Sequence, residues 1–347
     1  MAERKINVGV VGLGFMGQTH LRAYQQLPQA RIVAVCDAVR LPKDGKLEGV
    51  MGNITGTEEL FLDPKQIRAY RDFEEFLQHP DLELVDLCVP TKLHVPMSIA
   101  ALEAGKHVIC EKPLARTSEG CRKILEVAAK SPGYFMPAMC LRFWPEWAWL
   151  REVIQKGTYG KVLSMVLQRL SEPPAWSRDS YFKGEESGGA LLDMHIHDTD
   201  FVQFCFGVPK EVVSTGQIRF SGAYDYVSTI YRYENGPSIT AEGSWLVHKG
   251  FGFKMAYRVD FEKATVDYDS SRGEEALRVF EEGKEPQTLR LDWPDPDGYV
   301  GELRHMLECI ANGRPPSVVT GEDGLRAVQI CEAEEQSAKT GQPVRIE

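Results

Sequence analysis

The chain opens with its clearest chemical signal, Gly12-Leu13-Gly14-Phe15-Met16-Gly17. It follows the β-branched run Ile6-Asn7-Val8-Gly9-Val10-Val11 and runs into Met16, His20, Ala23, Tyr24 and Leu27 at helical spacing. A strand, a glycine-rich turn and a helix in that order form a dinucleotide cradle. Gly12 allows the tight turn, Gly14 lets backbone N–H groups approach a pyrophosphate, and Gly17 lets the helix lie close on the strand. Phe15 and Met16 complete the loop and count with the glycines as cofactor-binding. A second apolar run, Arg31-Ile32-Val33-Ala34-Val35-Cys36, ends in Asp37, placed to accept hydrogen bonds from an adenosine ribose. That favours NAD and leaves NADP possible. Arg40 could hold the extra 2′-phosphate of NADP or be a plain solvated loop cation.

Two further segments carry chemistry. Glu111-Lys112-Pro113 follows the strand-like His107-Val108-Ile109-Cys110, and Pro90, Thr91 and His94 follow Leu84-Val85-Asp86-Leu87-Cys88-Val89. Both fall at the carboxyl edge of a parallel sheet, where doubly wound folds hold their ligands. Lys112 there could face a substrate or be a solvated loop lysine. Thr91 and His94 at the same edge support the first reading. Farther on, Asp193, His195, His197 and Asp200 crowd one stretch. If 189–206 is a helix, Asp193, His197 and Asp200 share a face and His195 points elsewhere. A histidine pair two apart would chelate from a strand, so no metal is expected. His195 is read as a packing residue or a substrate contact.

The elements that position these groups begin as a βαβ alternation, so the fold class expected is α/β. A Rossmann domain with a doubly wound parallel sheet spans 1–143. The segment from Leu41 to Gln66, rich in glycine, is an irregular excursion. After Arg142-Phe143-Trp144-Pro145 opens a linking helix, strand-like runs appear at 162–170, 211–220, 226–233, 238–246, 253–261 and 264–268. They imply an α+β domain over 144–347 with a large open mixed or antiparallel sheet, its last helix packing back on the first domain. Tyr224, Tyr226, Tyr231, Tyr233 and Trp245 fall near one face of it, read as a subunit interface. Arg142, Trp176 and His195 are the candidate substrate contacts, and Arg178 and Lys183 lie on a loop that could close over the cleft.

Bulk composition excludes other classes. The chain has 347 residues, 26% of them charged, and a formal charge of −10, which argues against nucleic-acid binding. No apolar window reaches the ~20 residues needed to span a bilayer, and no apolar leader opens the chain, so a cytoplasmic protein with no membrane partner is expected. Eight cysteines without a CxxC pair read as reduced core residues.

Taken together, the glycine loop, Pro90-Thr91-Lys92-Leu93-His94, Ala104-Gly105-Lys106-His107-Val108 leading to Glu111-Lys112-Pro113, and Gly188 to Asp200 resemble the glucose–fructose oxidoreductase / inositol dehydrogenase / rhizopine catabolism (Gfo/Idh/MocA) family of NAD(P)-dependent dehydrogenases. The resemblance covers nearly the whole chain. It implies a catalytic set of Lys112, Asp193 and His197, and a cofactor site of Gly12, Gly14, Phe15, Met16, Gly17, Asp37, Arg40, Pro90, Thr91, His94, Glu111 and Lys112. The implied reaction is hydride transfer between a nicotinamide cofactor and a hydroxyl carbon of a sugar, polyol or inositol. A homodimer or homotetramer through the C-terminal sheet is implied as well. Redox-neutral NAD-dependent glycoside cleavage and a non-catalytic NAD-sensing role are the alternatives. The family pattern often has a small residue where this chain has His195.

Overall fold

The structure is a computed structural model describing residues 4–52, 58–174 and 181–346. The chain divides into two compact units: 1–143 with 295–325, and 144–294 with 326–347. The segment 295–325, expected with the second domain, therefore groups with the first. Its helix Gly298–Ala311 starts at Asp297, whose carboxylate accepts from the N–H groups of Tyr299 and Val300. The buried Leu303, Met306 and Leu307 give it an apolar face, and it packs on helix Phe15–Gln25. Chain order carries no signal of which unit such a helix joins.

The first unit holds a wholly parallel six-stranded sheet in the spatial order Arg68–Tyr70, Ala30–Cys36, Ile6–Val11, Leu84–Leu87, His107–Glu111, Phe135–Ala138. Strand order reverses between Ile6–Val11 and Leu84–Leu87, which opens a crevice at their carboxyl ends. Leu84–Leu87 is buried along its whole length, as expected of a parallel strand covered on both faces. The 41–66 excursion contains a two-stranded ribbon, Lys46–Leu47 with Leu60–Phe61. Its backbone meets the first helix where Gln18 Nε2 donates to the Glu48 carbonyl at 2.8 Å.

The second unit is built on a nine-stranded sheet. Its central pair, Val162–Leu170 and Ser238–Ser244, is parallel, and the other neighbours are antiparallel. Strict alternation assigns the faces. In Tyr224–Arg232, Asp225, Val227, Thr229 and Tyr231 point into the core, while Tyr224, Tyr226, Ser228 and Ile230 occupy the opposite face. Tyr231 and Trp245, expected near an interface face, are core residues at 1% exposure each, because their parity is that of the inner face. Trp147 is also core, edge-on to Tyr257 and Tyr268. All eight cysteines are free thiols.

Candidate active site

In the first unit the glycine loop has the shape its residues imply. Gly12 has φ +86°, and a Cβ there would meet the Cys88 carbonyl oxygen at 2.3 Å. A Cβ on Gly17 would lie 1.8 Å from the Gly12 carbonyl oxygen, so the helix can sit this close only with hydrogen at that position. Gly14 differs: among the described residues, no atom beyond its chain neighbours lies within 4 Å of a Cβ placed on it. It is the N-cap of helix Phe15–Gln25, with no side-chain cap and no acidic residue in the first turn. The bare glycine thus stands at the positive end of a helix dipole, which fits a pyrophosphate.

Asp37 is half-buried and held by backbone. Its Oδ2 accepts from Leu13 N–H at 2.7 Å, and its Oδ1 from Val39 and Arg40 N–H groups at 2.8 and 2.7 Å. Three bonds fix the carboxylate and leave acceptor capacity for a ribose. Arg40 is exposed, and Pro90 and Thr91 lie at the turn after Leu84–Leu87. His94 is a correction to the expected cofactor set. It is 1% exposed, with its ring nitrogens 2.7 Å from the Pro113 carbonyl and 2.8 Å from the Val89 carbonyl. The ring is engaged on both sides and ties two turns together, with no nitrogen left for a ligand.

Glu111 ends the fifth strand and Lys112 follows it; the Lys112–Pro113 bond is cis. Glu111 Oε2 accepts from Lys112 N–H at 3.0 Å. Burial pushes this carboxyl up, but His20 and Lys112 outweigh it and hold Glu111 below the usual glutamate value. Arg142, expected at the substrate, is 4% exposed and serves as an internal anchor, its guanidinium 2.8 Å from the Val318 carbonyl and 3.3 Å from Asp323 Oδ2.

In the second unit, the expected helix over 189–206 exists with one irregularity: a π turn, Leu191–His195, precedes the α-helix Ile196–Phe206. A π turn takes more residues per turn than an α turn, so side-chain register across it shifts. Between 187 and 203 every residue is buried except Asp193 and His197, which are half-exposed. Asp200, expected on their face, is instead 1% exposed and accepts from Gln203 Nε2 at 2.9 Å.

His195 is the packing residue of its two readings. It is 0% exposed, its Nε2 3.2 Å from the Tyr231 hydroxyl and 3.4 Å from Glu334 Oε1. Its room comes from the facing strand, where a Cβ on Gly243 would stand 2.7 Å from the His195 Cβ. Arg169 holds the same helix from below through a buried bidentate pair with Asp198 at 2.9 and 3.0 Å. Trp176 and Arg178 lie outside the described residues.

Among the described residues, His20, Asp86 and Cys88 form a cluster with ligand atoms within 4.8 Å of one another. Sequence reading passed over them, although a carboxylate inside the apolar run Leu84-Val85-Asp86-Leu87 was a visible signal.

A family model described as an oxidoreductase family with an NAD-binding Rossmann fold matches residues 6–138, and the GFO/IDH/MocA C-terminal domain matches 147–267. The chain belongs to the GFO/IDH/MocA family. Within it, the myo-inositol 2-dehydrogenase of Thermotoga maritima is 26% identical over 351 residues, covering 99% of both chains. The inositol 2-dehydrogenase of Rhizobium meliloti is 27% identical over 350 residues, covering 98% of this chain and 99% of the relative. Among solved structures, a levoglucosan dehydrogenase in complex with NADH and levoglucosan superposes with a TM-score of 0.84 at 23% identity, covering 99% of this chain and 100% of the other. This GFO/IDH/MocA protein is accordingly an NAD-binding oxidoreductase with a Rossmann domain and a large mixed sheet.

Proposed function

We propose that this protein oxidises a secondary hydroxyl of a sugar, polyol or cyclitol, with Lys112, Asp193 and His197 serving one substrate hydroxyl. The observation that carries the reading is the isolation of Asp193 and His197 as the half-exposed pair in a buried run of helix. A carboxylate and an imidazole kept open on such an element are suited to proton chemistry. The named relatives support the substrate class, since they act on inositol and levoglucosan.

NAD, when bound, supplies the hydride acceptor. Gly12, Gly14, Gly17 and the first-turn N–H groups hold its pyrophosphate, with Phe15 and Met16 in the same loop, and Asp37 receives the ribose hydroxyls. Lys112 takes the hydroxyl proton. A free lysine has a pKa of about 10.4, so proton uptake by Lys112 draws on its neutral form. His197 bonds the same hydroxyl and relays the proton while Asp193 orients the imidazole.

Assembly as a homodimer or homotetramer uses the face of the nine-stranded sheet that carries Tyr224, Tyr226 and Ile230; Ile230 is 43% exposed. Eight free thiols suit a reducing, cytoplasmic setting, and no helix among the described residues is long and apolar enough to cross a membrane.

The test is purified protein with NAD or NADP against sugars, inositols and sugar acids, following nicotinamide absorbance, with Lys112→Ala as control. Reduction that depends on Lys112 is expected. Tightly held NAD with substrate cleavage and no net reduction would replace the proposal with redox-neutral glycoside chemistry.

A further inference from the structure

His20, on the helix behind the glycine loop, takes no part in the reaction described above. Its ring is 0% exposed and faces carboxyl groups from three other elements. Nδ1 lies 2.8 Å from Asp86 Oδ2, on strand Leu84–Leu87, and 3.4 Å from Cys88 Sγ. Nε2 lies at ion-pair distance from two glutamates: 3.2 Å from Glu111 Oε1, at the end of His107–Glu111, and 3.6 Å from Glu302 Oε1, on helix Gly298–Ala311. Asp86 and Glu302 are 0% exposed and Glu111 is 6% exposed. Tyr24 and Tyr299 also face the cluster, and Asp297 acts on Glu302 from the start of its helix.

Carboxylate oxygens only accept, so the bond to Asp86 places a proton on Nδ1. Nε2 makes no hydrogen bond among the described residues, and its proton is favoured by the charge of the carboxyl groups around it. A neutral imidazole would leave several carboxylates in a dry space with no counter-charge, the costliest arrangement available. Glu302 avoids that by staying neutral: both its oxygens are buried without a hydrogen-bond partner, and burial pushes its carboxyl well above the usual value. Burial pulls the His20 imidazole down, but Asp86 and Cys88 outweigh it and hold it well above 6.5.

We infer that His20 is a standing imidazolium that, with Asp86 and the neutral Glu302, keeps Glu111 ionised and so positions the Glu111–Lys112 turn for proton transfer. Glu111 is the link. One of its oxygens faces His20, and the other accepts from the Lys112 N–H. His20 and Glu302 are positioning residues, acting on Lys112 through Glu111. The inference rests on the reading of Lys112 as the proton-handling group.

Two measurements test it. The first needs no variant: the ring nitrogen shifts of His20 by NMR read its charge directly, and the imidazolium signature is expected at pH 7. Glu302→Gln, exchanging one neutral group for another, leaves those shifts in place. A neutral His20 ring at pH 7 overturns the proposal. The second is the pH profile of kcat/KM for His20→Gln and Glu111→Gln. Without the imidazolium, Glu111 takes up a proton and Lys112 loses a negative neighbour, so the acid limb moves about one unit lower. Turnover falls about tenfold in both through lost alignment, while the NAD affinity of His20→Gln changes less than about threefold. If Lys112→Ala abolishes turnover but both variants keep the wild-type limb, the positioning role is wrong and Lys112 stands. If Lys112→Ala leaves turnover intact, the underlying reading fails instead.

Discussion

Asp193 and His197 stand half-exposed on either side of a fully buried His195, across a π turn that begins at Leu191. Residues four apart fall on one face of the element while the residue between them faces the core. Asp193→Asn and His197→Gln should each lower turnover roughly 10²-fold. Both lie outside the unit that carries the glycine loop, so NADH affinity by fluorescence titration should stay within about threefold of wild type. Loss of NADH binding in either variant would argue against a role confined to the substrate.

The fit between His195 and Gly243 can be measured as a coupling. Gly243→Ala alone drives a Cβ into the His195 Cβ and should cost about 1–3 kcal/mol. His195→Gly alone removes the contacts to Tyr231 and Glu334 and leaves buried polar groups unpaired. In the double variant the clash is absent, so the two costs should fall short of additive by about 1 kcal/mol in a chemical-denaturation cycle. Strict additivity would mean the helix shifts freely over the strand.

Gly14 and Gly17 should separate stability from cofactor binding. Gly17→Ala places a Cβ against the Gly12 carbonyl, which belongs to backbone and cannot swing away, so both thermal stability and NAD affinity should fall. Gly14→Ala meets open space in the protein and should leave the melting temperature within about 2 °C. Its NAD affinity should nevertheless drop tenfold or more, because the methyl group enters the space that the pyrophosphate needs. Equal NAD affinity in Gly14→Ala and wild type would remove the loop from cofactor binding.

The Arg142–Asp323 pair should appear in the acid limb of stability. Burial works against ionisation of Asp323, but Arg142 and the Thr320 N–H and hydroxyl outweigh it, so its folded value lies below the usual aspartate value. The stabilisation is therefore fully present above an unfolded pKa of about 3.9 and disappears as pH falls through the lower folded value. Asp323→Asn should cost about 3 kcal/mol near neutrality by leaving a buried guanidinium without its counter-charge. The gap in unfolding free energy between wild type and variant should close as pH falls below about 4; a gap independent of pH would mean that the pair does not set it.

Much of this was legible in the linear chain because local rules govern it. Glycines at 12, 14 and 17 state their own reason through their spacing, and the clash at Gly17 is with the Gly12 carbonyl of the same loop. The strands Val162–Leu170 and Ala264–Asp269 follow from period-two alternation over long runs. Leu277–Glu281 and the two edge strands Gln287–Leu289 and Val344–Arg345 escaped the same reading, because runs this short are specified by the neighbour they pair with. The short helix Phe73–Leu77 likewise rests on a local cap, the Asp72 carboxylate accepting from Glu75 N–H at 2.9 Å.

The sequence by itself determined the cofactor cradle, the βαβ order and the presence of Glu111, Lys112, Asp193 and His197 in a recognisable pattern. Each of these is written in adjacent residues and needs no partner distant in the chain. The tertiary structure alone decided that His94 and Arg142 serve as internal ties, that His195 is core and Asp200 turned inward, and that 295–325 joins the first unit. It also decided that His20, Asp86, Glu111 and Glu302 meet in one buried cluster. A side chain's burial and charge partners depend on which distant segments close over it, and no local period encodes that encounter.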